Sequence, residues 1–170
     1  RQSTNGGGLC VLCEFNIVSL LCKGTWCYST SSAEAVTATA IGGGLVLGGT
    51  GLISCSIISR CKVHARSDGY SASSNATARG GGLYTQNHSV QIINSILYNN
   101  SVLAEALTQG GASCTSVAQG GGLYAAYTVT AANSILWQNT AVEGEEVFAA
   151  SQTSLLSCLV DNAPNSCAGS

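Results

Sequence analysis

Gly-Gly-Gly-Leu occurs four times in this chain, as Gly6-Gly7-Gly8-Leu9, Gly42-Gly43-Gly44-Leu45, Gly80-Gly81-Gly82-Leu83 and Gly120-Gly121-Gly122-Leu123. The copies stand 36, 38 and 40 residues apart. Self-similarity at such a period decides fold class before local propensity does, because each copy must adopt one supersecondary unit and stack on its neighbours. A second motif follows each glycine run at a nearly constant distance. Its fullest copies are Asn94-Ser95-Ile96-Leu97-Tyr98-Asn99-Asn100 and Asn133-Ser134-Ile135-Leu136-Trp137-Gln138-Asn139. Weaker copies begin at Val18, Cys55 and Leu156, and the last has lost its glycine run.

Each unit holds short β-prone runs separated by Gly, Asn, Ser and Thr, with no amphipathic pattern of helical length. Such a unit cannot bury its apolar residues alone. Stacked in parallel at ~4.8 Å, five units make a column on the order of 24 Å tall. The expected fold is therefore an all-β, right-handed parallel β-helix of about five coils, one domain over residues 1–170. Repeats start near 6, 42, 80 and 120, and a degenerate coil covers about 144–163. Inward positions are expected at Leu9, Leu45, Leu83 and Leu123 on one sheet, and at Leu20, Ile57, Ile96, Ile135 and Cys158 on the next. The glycines supply tight corners and positive φ.

Asn100, Asn139 and Asn162 share one aligned position, where the second copy has Cys61. Stacked asparagines at a corner hydrogen-bond to each other and to turn backbone; the plainer alternative is that Asn tolerates a turn. The repeat is longer than a minimal coil needs. Residues 29–40, 65–79, 102–119 and 142–146 are therefore expected to leave the column as loops on one side, where a partner surface would lie.

Charged residues are only 8% of the chain while 45% are hydrophobic, so it folds behind a Ser/Thr/Asn-rich surface. A net charge of −2, with Arg60, Lys62 and Arg66 the one cationic cluster, argues against nucleic acid. No apolar run approaches the ~20 residues of a membrane span. Nine cysteines exceed intracellular usage, and the lone Cys10-x-x-Cys13 pair does not complete a zinc site. Disulfides among Cys10, Cys13, Cys22, Cys27, Cys55, Cys61, Cys158 and Cys167 are expected, with Cys114 free or intermolecular, in an extracellular or cell-surface setting. The sequons at Asn75, Asn87 and Asn99 are candidate N-glycosylation sites for the secretory route. Starting at Arg1 instead of Met, the chain reads as a processed or excised piece of something longer.

Catalysis finds little to work with. Asp68 and Asp161 are not paired by any motif, Glu143-Gly144-Glu145-Glu146 reads as a solvated turn, and His64 and His88 read as surface histidines. No cofactor or metal is implied. Tyr98 and Trp137, at one position of adjacent coils, are a candidate glycan platform.

The two motifs resemble those of the polymorphic outer-membrane-protein-like repeats, whose coils carry GGA-aliphatic and F-x-x-N. Here the first is GGGL, and the second is Leu97-x-x-Asn100, Leu136-x-x-Asn139 and Leu159-x-x-Asn162. The resemblance implies the β-helix and a surface or adhesive role. The expected function is thus a non-catalytic structural or adhesive scaffold. It would self-associate, as in a filament, or join flanking parts of a larger protein. A carbohydrate-binding module is the alternative, and a degenerate polysaccharide lyase or hydrolase the third.

Overall fold

The computed structural model describes residues 2–5, 8–33, 36–69, 73–109 and 113–161. Gly6, Gly7, Asn162 and Cys167 lie outside them. The fold is a parallel β-solenoid with no helix among the described residues. Three sheets of five strands enclose the column. Their central strands are Leu83–Thr85 (the GGGL sheet), Val90–Ile93 (the middle sheet) and Ile96–Tyr98 (the NSIL sheet). Two further sheets, of four and three strands, run beside it. Three turns carry all five strands. A fourth turn replaces its last strand with a bridge at Thr140, and a fifth keeps only Val147–Ala149, Thr153–Leu156 and Leu159–Val160.

The second, third and fourth turns each have three corners in the left-handed backbone region. The first glycine of each run takes one, at φ +65° for Gly42, +67° for Gly80 and +69° for Gly120. Asn94 and Asn133 take the second, aligned with Ser19, Cys55 and Ser157. Asn99 and Gln138 take the third, aligned with Gly24 and Arg60. Asn is the non-glycine residue best suited to this conformation, which explains why the second motif opens on it.

Leu45, Leu83 and Leu123 stack inward as expected, in direct register, while Leu9 at the first turn is half-exposed. On the NSIL sheet the expected facing is off by one residue. Ile58, Leu97 and Leu136 fill the core, with Cys22 and Val160 above and below, whereas Ile57 and Ile135 are 41% and 37% exposed. Leu20 and Cys158 do contact the core, but from the corner position that serine holds elsewhere. A one-residue slip inverts every side chain of a strand, and the Ser-Ile-Leu run offers apolar residues to both faces.

Two polar ladders climb through the corners. Ser56, Ser95 and Ser134 are buried. Each hydroxyl donates to the carbonyl two residues back, at 2.7–2.9 Å, and accepts a backbone N–H from the turn before, at 3.1–3.2 Å. The second ladder is asparagine. The Asn100 side chain donates to Ile58 O at 3.0 Å and to Asn139 Oδ1 at 2.9 Å, and its Oδ1 accepts the Cys61 amide at 3.0 Å. Asn139 donates to Leu97 O at 2.9 Å, and its side-chain and backbone N–H groups both meet the Glu146 carboxylate. The backbone polar groups of a buried corner are satisfied in this way without water.

Glu146, expected in a solvated turn, is 1% exposed and terminates the asparagine ladder. Burial raises its pKa above the ordinary carboxyl value. The Asn139 hydrogen bonds oppose that shift, and the nearby Asp161 and Glu145 charges add to it. The folded-state pKa is thus above the unfolded one, so the contribution to stability is full below the unfolded pKa of about 4.5 and lost as pH rises through the folded value. Glu146→Gln keeps one oxygen able to accept both Asn139 donors, as Asn139 itself does for Asn100. The variant is expected to be more stable than wild type at pH 7 and to lose that advantage below pH 4.5. Urea unfolding across pH checks this; a variant less stable at pH 7 excludes it.

Three of the four segments expected as loops, 29–40, 65–79 and 102–119, are mostly strand, while 142–146 holds only a bridge at Glu143. Trp26–Ala33, Lys62–Gly69 and Ser101–Thr108 pair in register as an outgoing sheet. Gln2–Asn5, Val36–Ile41, Ser74–Arg79 and Cys114–Gln119 form a returning sheet. The two pack face to face around a second core of Ala38, Ala40, Ala65, Ala76, Ala78 and Ala118 with Val63, Val102 and Cys27. Ser74 Oγ donates across the gap to Ser67 O at 2.9 Å. Small side chains let the sheets close into a thin fin beside the column. Alternating Ala and Ser carries a strand's period of two, but with little hydropathy contrast.

Candidate functional site

Because inward fin residues are small, the larger residues of the outgoing strands all point to the other face. Register sets them in rows: Trp26, Lys62 and Ser101, then Tyr28, His64 and Leu103, then Thr30, Arg66 and Glu105. Asp68 and Leu107 are neighbours in the next row. Trp26 is 61% and Tyr28 48% exposed, and Leu103 and Leu107 are also exposed. Lys62 Nζ lies 5.1 Å from the centre of the Trp26 ring, and Tyr28 meets the His64 ring edge-on at 5.1 Å. His64 Nε2 lies 3.1 Å from Glu105 Oε2, and Arg66 Nε donates to Asp68 at 3.1 Å, with its Nη1 4.0 Å from Glu105. His64, Arg66, Asp68 and Glu105 are therefore paired among themselves, while Lys62 stands over the Trp26 ring. What remains open is an aromatic and hydroxyl-bearing surface on a flat, parallel-stranded support.

A second aromatic row behaves differently. Tyr84, Tyr124 and Phe148, each following its Leu or Val on the GGGL sheet, stack at 5.1 and 5.2 Å. Arg79 lies 5.1 Å from the Tyr124 ring. Arg79, Gln119 and Glu143 form their own hydrogen-bonded file, and Tyr124 is only 6% exposed. Burial, then the neighbouring Tyr124, raises the Tyr84 pKa. This stack is covered packing and offers no open ring face.

The sequence-derived platform of Tyr98 and Trp137 consists of register neighbours on the outer face of the NSIL sheet, both half-buried. The three sequon residues Asn75, Asn87 and Asn99 are exposed. Among the described residues no two cysteines stand at disulfide-bonding distance. All eight described cysteines are unbonded: Cys10, Cys13, Cys55 and Cys114 exposed, Cys22, Cys27 and Cys61 buried, Cys158 between. Parallel stacking aligns most of them with other residue types in the neighbouring turn, as Cys10 with Val46 and Cys27 with Val63. Lys62 and Arg66, two members of the cationic cluster in the sequence, lie on the strand Lys62–Gly69 and belong to the fin face. Among the described residues no group of three His, Cys, Asp or Glu side chains is placed to hold a metal ion. Nor is any helix long and apolar enough to cross a membrane.

No protein-family model, curated protein or solved structure matches this chain. The parallel β-solenoid thus rests on its own strand register, and membership of the repeat family it resembles is not shown. Trp26 and Tyr28 had gone unnoticed in the sequence because they follow the repeat motif only in the first turn. Their i, i+2 spacing is the one signal that would have placed them on a common strand face.

Proposed function

We propose that this chain is a non-catalytic adhesive and structural scaffold of the cell surface or extracellular space, and that the outer face of the fin is its contact surface. The observation that carries this reading is the Trp26, Tyr28 and His64 cluster, held open on strands whose backbones are fully laddered to their neighbours. A rigid sheet pre-organises such a face, so little ordering entropy is lost on contact. Self-association or packing against flanking parts of a longer protein belongs to the same reading. Its support is the first turn, where Leu12, Val18 and Leu21 are exposed.

A carbohydrate-binding module is the second reading. It is favoured by two exposed rings two residues apart on one strand, beside His64, Arg66, Asp68 and Glu105, which pair with each other. That combination suits an uncharged polyhydroxyl ligand. The test is retention of beads carrying the chain on films of neutral and acidic polysaccharides. Binding to neutral films, weakened about tenfold or more by Trp26→Ala with Tyr28→Ala and unchanged by Tyr98→Ala with Trp137→Ala, is the expected result. Equal loss from both pairs of substitutions, or none from the first, removes the fin face from the function.

A further inference from the structure

The asparagine ladder stops at Cys61. In the third and fourth turns that corner holds Asn100 and Asn139; in the second it holds Cys61, and in the first Thr25. Beside it, on the inward face of Leu21–Lys23, lies Cys22. The two sulfurs are 3.9 Å apart, and the residues are 8% and 0% exposed. A Cβ on Gly8 would lie 3.3 Å from Cys22 Sγ, and one on Gly44 would lie 3.1 Å from Cys61 Sγ, so each sulfur packs into space that a glycine leaves.

We propose that Cys22 and Cys61 form a cross-turn disulfide that pins the first turn of the solenoid to the second. The reaction is exchange with a small-molecule disulfide of the oxidised-glutathione class. The Cys61 thiolate attacks one sulfur of that disulfide, which breaks and releases one small thiol, leaving Cys61 in a mixed disulfide. Cys22 loses its proton and attacks the Cys61 sulfur, expelling the second small thiol. Two protein thiols are oxidised by two electrons, and the small disulfide is reduced to two thiols. The hydrogen bond from Cys22 lowers the Cys61 pKa against the opposing effect of burial, and the same contact raises that of Cys22, which fits Cys61 as the first nucleophile. Access comes from local opening of the first described turn, where Leu9, Leu12, Val18 and Leu21 are exposed. The bond would close a loop across 39 residues and hold this edge in place.

The full chain is equilibrated in a glutathione redox buffer, unfolded in alkylating denaturant without reduction, and cleaved after Lys, Arg and Glu. Cleavage after Glu14, Lys23, Arg60 and Lys62 isolates Cys22 in residues 15–23 and Cys61 in residues 61–62. The expected product is those two peptides joined, and separated by reductant. The oxidised chain should also resist proteolysis within residues 8–31 about tenfold longer than the reduced chain. Recovery of both peptides alkylated, or of either joined to another cysteine, overturns the proposal. The wild-type chain serves throughout, so no variant has to fold.

Discussion

Replacing Gly81 by alanine is expected to destabilise the protein by about 3 kcal/mol or more, enough to unravel the middle of the column. The new Cβ would be driven into the Gly121 carbonyl oxygen of the next turn and would stand 2.9 Å from the Ser101 backbone on the other side. Both obstacles are backbone, so no rotamer change relieves them. Gly43 and Gly121 are confined the same way, by Gly81 O with Lys62, and by Glu145 O with Thr140. The triple glycine is therefore a line of close approach between turns, and not only a hinge. Gly24→Ala is the internal comparison. Gly24 has positive φ but nothing within 4 Å of its Cβ direction, and Arg60, Asn99 and Gln138 hold the aligned corner. Its cost should be about 1–2 kcal/mol. Chemical denaturation of the two variants checks the ranking, and equal losses would show that conformation alone explains the glycines.

Asn139→Leu is expected to cost about 3–5 kcal/mol, the second large effect. The change keeps the volume but strips the ladder. The Asn100 backbone and side-chain N–H groups both lose the Asn139 Oδ1 acceptor at 2.9 Å, Leu97 O loses a donor, and the buried Glu146 carboxylate keeps the backbone N–H of residue 139 but loses the side-chain donor. Ser134→Ala removes one acceptor, that of the Ser95 amide at 3.2 Å, and one donor, to Ala132 O, and should cost about 1–2 kcal/mol. Adding Glu146→Gln to Asn139→Leu is expected to recover part of the loss, because a buried carboxylate with one donor fewer is then replaced by a neutral group. Hydrogen exchange at the Asn100 amide reads the effect locally; full protection in Asn139→Leu would show that the ladder contributes nothing to that corner.

The four glycine runs and the asparagine alignment made the column legible. Motifs that recur at a near-constant interval in a stacked chain must pair with their own copies, and Leu45, Leu83 and Leu123 do so in direct register. The corner role of Asn100 and Asn139 followed from the same alignment, as did the place of the first glycine. The facing of the NSIL strand did not. Ile57, Ile96 and Ile135 are as apolar as Ile58, Leu97 and Leu136, and only the handedness of the Asn94 and Asn99 corners selects between them. The role of Glu146 was hidden by its charged neighbours, since nothing local distinguishes the carboxylate that meets Asn139 from Glu145, which is exposed.

By itself the sequence determined that turns stack, the interval at which they recur, and that the leucines of the glycine runs and Asn100 with Asn139 meet between turns, because these depend on a period that is written in the chain. Tertiary structure alone decided that Ala65, Ser67, Ala76 and Ala78 bury one another, and that Trp26, Tyr28, His64 and Glu105 therefore stand together on the opposite face. The reason is physical. An alanine or serine has too little apolar surface to declare its side of a strand, and becomes core only when a second sheet of equally small residues closes over it.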